Sequence, residues 1–104
     1  MPYMYILKCS DQTYYVGSTW DIERRLAQHE RGEAANYTRN RRPVRLVHLE
    51  EYTRIDDAFR REKQVQNWGR RKREALIAGD EAALERLSRG GSRQARSPVD
   101  PDPR

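Results

Sequence analysis

Two aromatic and β-branched runs stand almost back to back at the start of the chain, Tyr3–Cys9 (YMYILKC) and Thr13–Ser18 (TYYVGS), separated only by Ser10-Asp11-Gln12. A spacer that short and turn-like predicts an antiparallel hairpin, although it lacks the Asn-Gly or Asp-Gly pair that marks one most strongly. Gly17, near the end of the second run, permits a bend or a close backbone approach.

After the hairpin the pattern turns helical. Asp21 is a good N-cap for a helix to about Glu30, with Gly32 as its stop. Ile22, Arg25, Leu26 and His29 recur at helical spacing on one stripe, with Arg25 and His29 one above the other at the edge of its buried face. Glu33–Arg42 is polar and Arg-rich, closes at Pro43 and reads as a loop. Val44–Tyr52 supplies a third strand, with Val44, Leu46 and His48 on one face.

Thr53 and Asp56 resemble a capping box that opens a second long helix through about Trp68. Its apolar positions are Ile55, Ala58, Phe59 and Val65, and Glu62 lies in the middle of their stripe. A carboxylate so placed needs a cation partner or a metal, because burying it alone is expensive. Gly69 interrupts the helix, Arg70–Ile77 forms another short one, and Gly79-Asp80 precedes a last one over Glu81–Leu87. The elements predict an α/β (α+β) domain over residues 1–87. Residues 88–104, rich in Ser, Gly, Pro and Arg, cannot bury enough apolar surface to offset their ordering entropy and are expected to be disordered.

A chain of 104 residues has room for one core of ordinary size. Lys and Arg total 21 against 16 Asp and Glu, a formal net charge of +5, and the excess is local. Four Arg and no acid lie between Arg39 and Arg45, and seven basic residues face the single Glu62 between Arg60 and Arg73. Such patches attract a polyanion through its phosphates while reading little of its sequence; solvated helix surface is the plainer alternative. Arg39, Arg41, Arg42, Lys63, Arg70, Arg71 and Lys72 are the candidate phosphate contacts. Cys9 is the only cysteine, which excludes an intrachain disulfide and a cysteine-built metal site and fits a reducing cytosol. With no signal-like segment and no run of 18 apolar residues, a soluble cytoplasmic protein without a membrane partner is expected.

Phosphodiester hydrolysis needs an activated nucleophile and a cation or guanidinium beside the phosphoryl oxygens. Arg25 offers a planar fork to those oxygens, and Glu62 can anchor a hard cation, Mg²⁺ or Mn²⁺, while leaving most of its coordination to water and phosphate. Tyr5 and Tyr15 bring phenols from the hairpin, and His29 can take or relay a proton. Each has a structural alternative: strand tyrosines pack in cores, Arg25 and Glu62 can form an ion pair, and His29 near a helix end can interact with the dipole. No HxxxH, HxH or multi-carboxylate spacing supports a tightly held metal, so any cation is weakly bound and shared with substrate. On the residues alone, catalyst and binder stay level.

The same residues carry a resemblance. Tyr3-Met4-Tyr5, Tyr15-Val16-Gly17, the run from Gly17 to Gly32 with Arg25 and His29, the Tyr37-Thr38 and Arg42-Pro43 segment, and Phe59-Arg60-Arg61-Glu62 occur in the order of the GIY-YIG nuclease superfamily. The chain resembles in particular its small stand-alone UPF0213 (YhbQ-like) bacterial members, over about Pro2–Ile77. Tyr3 stands where the superfamily name has Gly. The resemblance implies a small three-stranded antiparallel sheet flanked by helices and a one-metal phosphodiesterase site. It further implies Tyr5 as general base beside Tyr15, Arg25 stabilising phosphorane-like charge, His29 as an accessory group and Glu62 as the metal residue. Larger members use an Asn after the metal helix; Asn67, on the same helix as Glu62, is not assigned that role.

The expected activity is a divalent-metal-dependent endonuclease hydrolysing DNA with low sequence specificity, in repair or recombination, since phosphate contacts position without reading bases. The alternative is a catalytically weak nucleic-acid-binding or complex-recruiting module with the same fold. Tyr37 and Trp68 are candidates to stack on an unpaired base. Nothing identified separates DNA from RNA. Monomer is the default, with a dimer or an unidentified targeting protein as ways to extend so small a domain.

Overall fold

The computed structural model describes residues 1–94, with side chains described to Arg89. Strands β1 (Tyr3–Lys8), β2 (Tyr14–Thr19) and β3 (Arg45–Glu51) form one antiparallel sheet in the order β2-β1-β3. Helices α1 (Ile22–Arg31), α2 (Asn36–Arg39), α3 (Ile55–Gln66), α4 (Arg70–Ala78) and α5 (Glu81–Gln94) complete the described chain. The three-stranded sheet with flanking helices is the fold that the sequence leads one to expect.

β1 is central, and the continuous apolar run Met4-Tyr5-Ile6-Leu7 is buried on both faces. The hairpin closes without an Asn-Gly turn because Gln12 adopts the left-handed conformation at φ +73. Asp11 braces that turn by accepting from the Thr13 amide at 3.1 Å and its hydroxyl at 2.6 Å. On the other side of β1 the register shifts between Ile6 and Leu7, which pair with His48 and Leu46, so Val47 is the extra residue of a bulge. The single face expected for Val44, Leu46 and His48 is therefore broken.

α1 starts where Asp21 accepts from the Arg24 amide at 3.1 Å and ends where Gly32, at φ +79, turns its N–H back to Gln28 and His29. α3 packs on β2 and β1 through Ala58 and Val65, both fully buried.

The described residues fall into two compact units, Met1–Gln66 and a second beginning at Asn67. In the second, α4 and α5 pack on each other, Gly79 terminates α4 at φ +70, and Asp80 caps α5 through the Ala83 amide at 3.0 Å.

Two expectations about the helices also change. The Glu33–Arg42 segment is not all loop, because it contains α2. α5 does not stop at Leu87 but runs to Gln94, and an Arg89–Glu85 pair at 3.1 Å spans the expected boundary. Ser88, Gly90 and Gly91 read as breakers, yet each Gly costs a formed helix only about 1 kcal/mol relative to Ala. The rest of the expected disordered tail, residues 95–104, lies outside the described residues.

Candidate active site

The site begins with a strand pair. Tyr5 of β1 lies opposite Gly17 of β2, and a Cβ on Gly17 would stand 2.5 Å from the Tyr5 hydroxyl. Glycine is what lets the phenol lie against the β2 backbone. The Tyr5 hydroxyl is 2.9 Å from His29 Nε2, and His29 Nδ1 is 2.8 Å from Thr38 Oγ1 on α2. Tyr5, His29 and Thr38 are fully buried.

Directions in this chain follow from Thr38. Its single hydroxyl proton donates to the Ala35 carbonyl at 3.3 Å, so its oxygen accepts from His29 Nδ1–H. That leaves Nε2 unprotonated to accept from the Tyr5 hydroxyl.

The electrostatics agree with neutral partners. Burial, and then Arg25 nearby, hold the His29 imidazole down to about 4. Burial and the neighbouring Tyr15 push the Tyr5 phenol well above its usual range, against the opposing pull of the Arg25 cation. Tyr15 is raised by burial and then by Glu62. Its ring meets His29 edge-on, with centroids 5.2 Å apart.

In front of these groups a cleft of about 590 Å³ opens between β2, α1 and α3, lined by Tyr15, Gly17, Ser18, Arg25 and Glu62 among others. Arg25 Nε donates to Gln28 Oε1 at 3.1 Å, which orients the guanidinium. Glu62 Oε1 accepts from Ser18 Oγ at 2.5 Å, and Oε2 accepts from Gln66 Nε2 at 2.8 Å, with Lys63 Nζ at 3.6 Å. Gln66 Nε2 also reaches the Val16 carbonyl at 3.1 Å, so one amide ties Glu62 to the strand that carries Gly17.

Tyr5, Tyr15, Arg25, His29 and Glu62 are thus brought together, from four elements. The basic residues are placed differently. Arg41 donates to Asp11 at 2.9 Å and lies over the Tyr37 ring at 3.9 Å, while Arg42 donates to the Glu30 and Arg39 carbonyls, both at 3.0 Å. Both brace the α1–β3 connection. Arg39 donates to Asn36 at 2.9 Å on the exposed side of α2, and Lys63 flanks Glu62. Arg70, Arg71 and Lys72 belong to the second unit, where Lys72 stands over Trp68 at 4.3 Å. Arg73, part of the same basic run, is fully buried.

Tyr37 does not present its ring for stacking on a base: it is covered by Tyr15 on a 6.2 Å stack and by Arg41, and its hydroxyl is buried. Phe59, expected in the core, is 51% exposed, because α3 turns Ala58 and Val65 to the sheet and leaves Phe59 at the cleft. Thr38, Ser18, Gln66 and Trp20 carry no distinguishing signal as isolated residues. Of these only Gln66, four residues after Glu62, could have been found by helical spacing.

Among the described residues no group of three or more His, Cys, Asp or Glu could hold a metal. Glu62 still fits a weakly held hard cation. An ionised carboxylate has about four acceptor positions, and Mg²⁺ commonly takes one or two carboxylates and completes its shell with water and phosphate.

A Tyr-on-Gly strand pair beside a helix-borne Arg–His pair defines a known class of domain. The GIY-YIG catalytic domain family matches residues 1–75, and the chain belongs to it. Within that family it is similar to the small stand-alone UPF0213 proteins. It is 45% identical over 78 residues to one from Natronomonas pharaonis, a match covering 75% of this chain and 92% of the relative. A relative from Halobacterium salinarum is 45% identical over 77 residues, with 74% and 100% covered. The solution NMR structure of the UPF0213 protein from Bacillus halodurans superimposes with a TM-score of 0.50 at 39% identity, covering 85% of this chain and 98% of that one.

Proposed function

We propose that the chain is a divalent-metal-dependent endonuclease that hydrolyses DNA phosphodiester bonds with low sequence specificity. The observation that carries this reading is the hydrogen-bonded line Tyr5–His29–Thr38 lying behind a cleft that holds both Arg25 and Glu62. The membership of a nuclease family is consistent with it.

The chemistry follows from the partners. Tyr5 starts protonated and donates to His29, so it can take a proton from an attacking water only by passing its own to Nε2. Tyr5 is then neutral before and after the transfer, and only His29 gains charge. Burial opposes that charge in the unbound chain; a phosphate anion entering the cleft favours it. Thr38 keeps Nε2 available as the acceptor, and Arg25 meets the charge that accumulates on the non-bridging oxygens. A Mg²⁺ or Mn²⁺ ion held at Glu62 would supply Lewis-acid stabilisation of the leaving oxygen. Ser18 and Gln66 hold the Glu62 carboxylate in place for that role.

A binding module with little cleavage is the second reading, and one observation favours it: burial holds the His29 imidazole down and so opposes the proton it would have to receive. Cleavage of plasmid, linear, single-stranded and branched DNA in Mg²⁺ or Mn²⁺ separates the two. Products that vanish in EDTA and in both Arg25→Ala and Glu62→Gln support the endonuclease. Salt-sensitive binding of every substrate with no product from the parent chain supports the binding module.

A further inference from the structure

Among the described residues the large apolar side chains are mostly buried, yet Trp20 is 64% exposed and Phe59 51% exposed, and both line the cleft that holds Arg25 and Glu62. The two rings come from different elements. Trp20 follows β2 immediately before the Asp21 cap of α1, and Phe59 stands on α3 between Ile55 and Glu62. Ile55, Phe59 and Glu62 recur at helical spacing, so one stripe of α3 presents an aliphatic group, an aromatic ring and the carboxylate to the same cavity.

Single exposed apolar residues are ordinary on protein surfaces. Two aromatic rings at one polar cleft are a recognition feature, and their charged neighbours indicate the ligand. Arg24 and Arg25 line the cleft beside Trp20, and Lys63 Nζ lies 4.9 Å from the centre of the Phe59 ring. The acids facing them are already engaged, Asp21 with the Arg24 amide and Glu62 with Ser18 and Gln66. A ligand complementary to this surface carries an anion next to a flat π-face. Phe59 is three residues, roughly 4.5 Å of helical rise, from Glu62, which places that face in the nucleotide adjoining the phosphate. A base inside a duplex has both faces covered by its stacked neighbours, whereas an unpaired base has them available.

We propose that Trp20 and Phe59 form a stacking subsite for an unpaired nucleobase beside the phosphodiester at Arg25 and Glu62, so that the domain selects single-stranded or flapped nucleic acid. The inference rests on the function proposed above and adds its substrate class.

Fluorescence anisotropy on the full chain in EDTA measures recognition without cleavage. Three labelled probes are compared: a DNA single strand, the same strand in a duplex, and an abasic strand of equal length and charge. The parent is expected to bind the single strand more tightly than the other two. Trp20→Ala or Phe59→Ala should weaken single-strand binding by about tenfold, within the range for loss of one stacked base, and leave the duplex and abasic probes within about twofold. Trp20→Phe should recover most of the loss, which a purely structural defect would not.

Equal affinity of the parent for all three probes would overturn the subsite, as would rim variants that weaken all three by one factor. A concentration-dependent dimer that Trp20→Ala dissolves, with DNA binding unchanged, would assign the face to a second copy and overturn it too. The nuclease reading stands or falls separately, on product formed by the parent in Mg²⁺. Absence of product with the single-strand preference intact rejects catalysis and retains the subsite.

Discussion

His29 and His48 both neighbour a tyrosine, and the two clusters behave in opposite ways. Around His48 everything converges on a carboxylate. Glu50 accepts from His48 at 2.8 Å, from the Tyr52 hydroxyl at 2.6 Å, and from Arg61 at 3.0 and 3.2 Å. Burial alone would raise the Glu50 carboxyl, but the bonds from His48, Arg61 and Tyr52 outweigh it and bring it down to about 2. Its charge is fully answered, and the cluster ties β3 to α3. Around His29 the carboxylate stands apart, the buried groups are neutral, and the nearest cation faces a cleft. A charge met on all sides stabilises a fold; neutral buried groups beside a guanidinium that faces a cleft are the arrangement on which the proposed proton relay rests.

The sharpest break of this contrast is at Arg25. Arg25→Ala should lower cleavage by about 10³-fold, the scale of losing a donor to a developing oxyanion, while its urea unfolding midpoint stays close to the parent's. An Arg25→Ala chain with parental turnover would place the reaction elsewhere.

Gly17→Ala comes next and should disturb both properties at once. The new methyl group would have to displace the fully buried Tyr5 hydroxyl, at a cost of about 3 kcal/mol by the measure of overpacked cores. Urea unfolding gives the stability loss, and the same sample should have lost its cleavage.

Glu50→Gln should cost about 2 kcal/mol at neutral pH, as expected when a buried charge-assisted network loses its centre, with cleavage unchanged. The pH dependence carries the sign. Glu50 is about 2 in the folded chain and about 4.3 when unfolded, so its stabilisation is present above the unfolded value and fades as pH falls toward the folded one. The parent should therefore lose its advantage over Glu50→Gln below about pH 4.

His29 acts over a higher range. Held to about 4 in the fold against about 6.5 unfolded, it makes stability rise with pH between those values, because only the unfolded chain binds the proton there. In His29→Asn that slope should be absent from urea unfolding measured across the same range.

The smallest expected effect is at Thr38. Thr38→Val removes the acceptor that orients His29 and should slow cleavage by about tenfold, the lower scale for a supporting hydrogen bond. Thr38→Ser should restore the rate. A nitrogen NMR spectrum that reports the His29 tautomer would separate positioning from simple loss of packing, since only the former changes which ring nitrogen carries the proton.

The elements that were legible in the sequence are those with local causes. The hairpin runs, the Asp21 cap, the Gly32 stop and the helical spacing of Arg25 and His29 all stand in the structure close to where they read. Where local reasoning failed, a longer-range partner decided the outcome. Phe59 belongs to an apolar stripe by spacing, but the sheet receives Ala58 and Val65 instead. Tyr37 looks available by composition, but Tyr15 and Arg41 cover it. Arg41 and Arg42 remain at the surface, but no local spacing announces the bonds by which they also close the α1–β3 connection.

By itself the sequence determined which side chains were available and on which strand or helix each would ride, because periodicity, caps and turn residues act over a few positions. It also determined the family, through the order of its motifs. Only the tertiary structure decided that Tyr5 donates to His29, that Thr38 sets the tautomer, that Gln66 steadies Glu62 against Val16, and that Trp20 and Phe59 share the cleft. Most of those partners stand on different elements, and a hydrogen bond or a shared cavity between elements depends on how they pack, which no local spacing encodes.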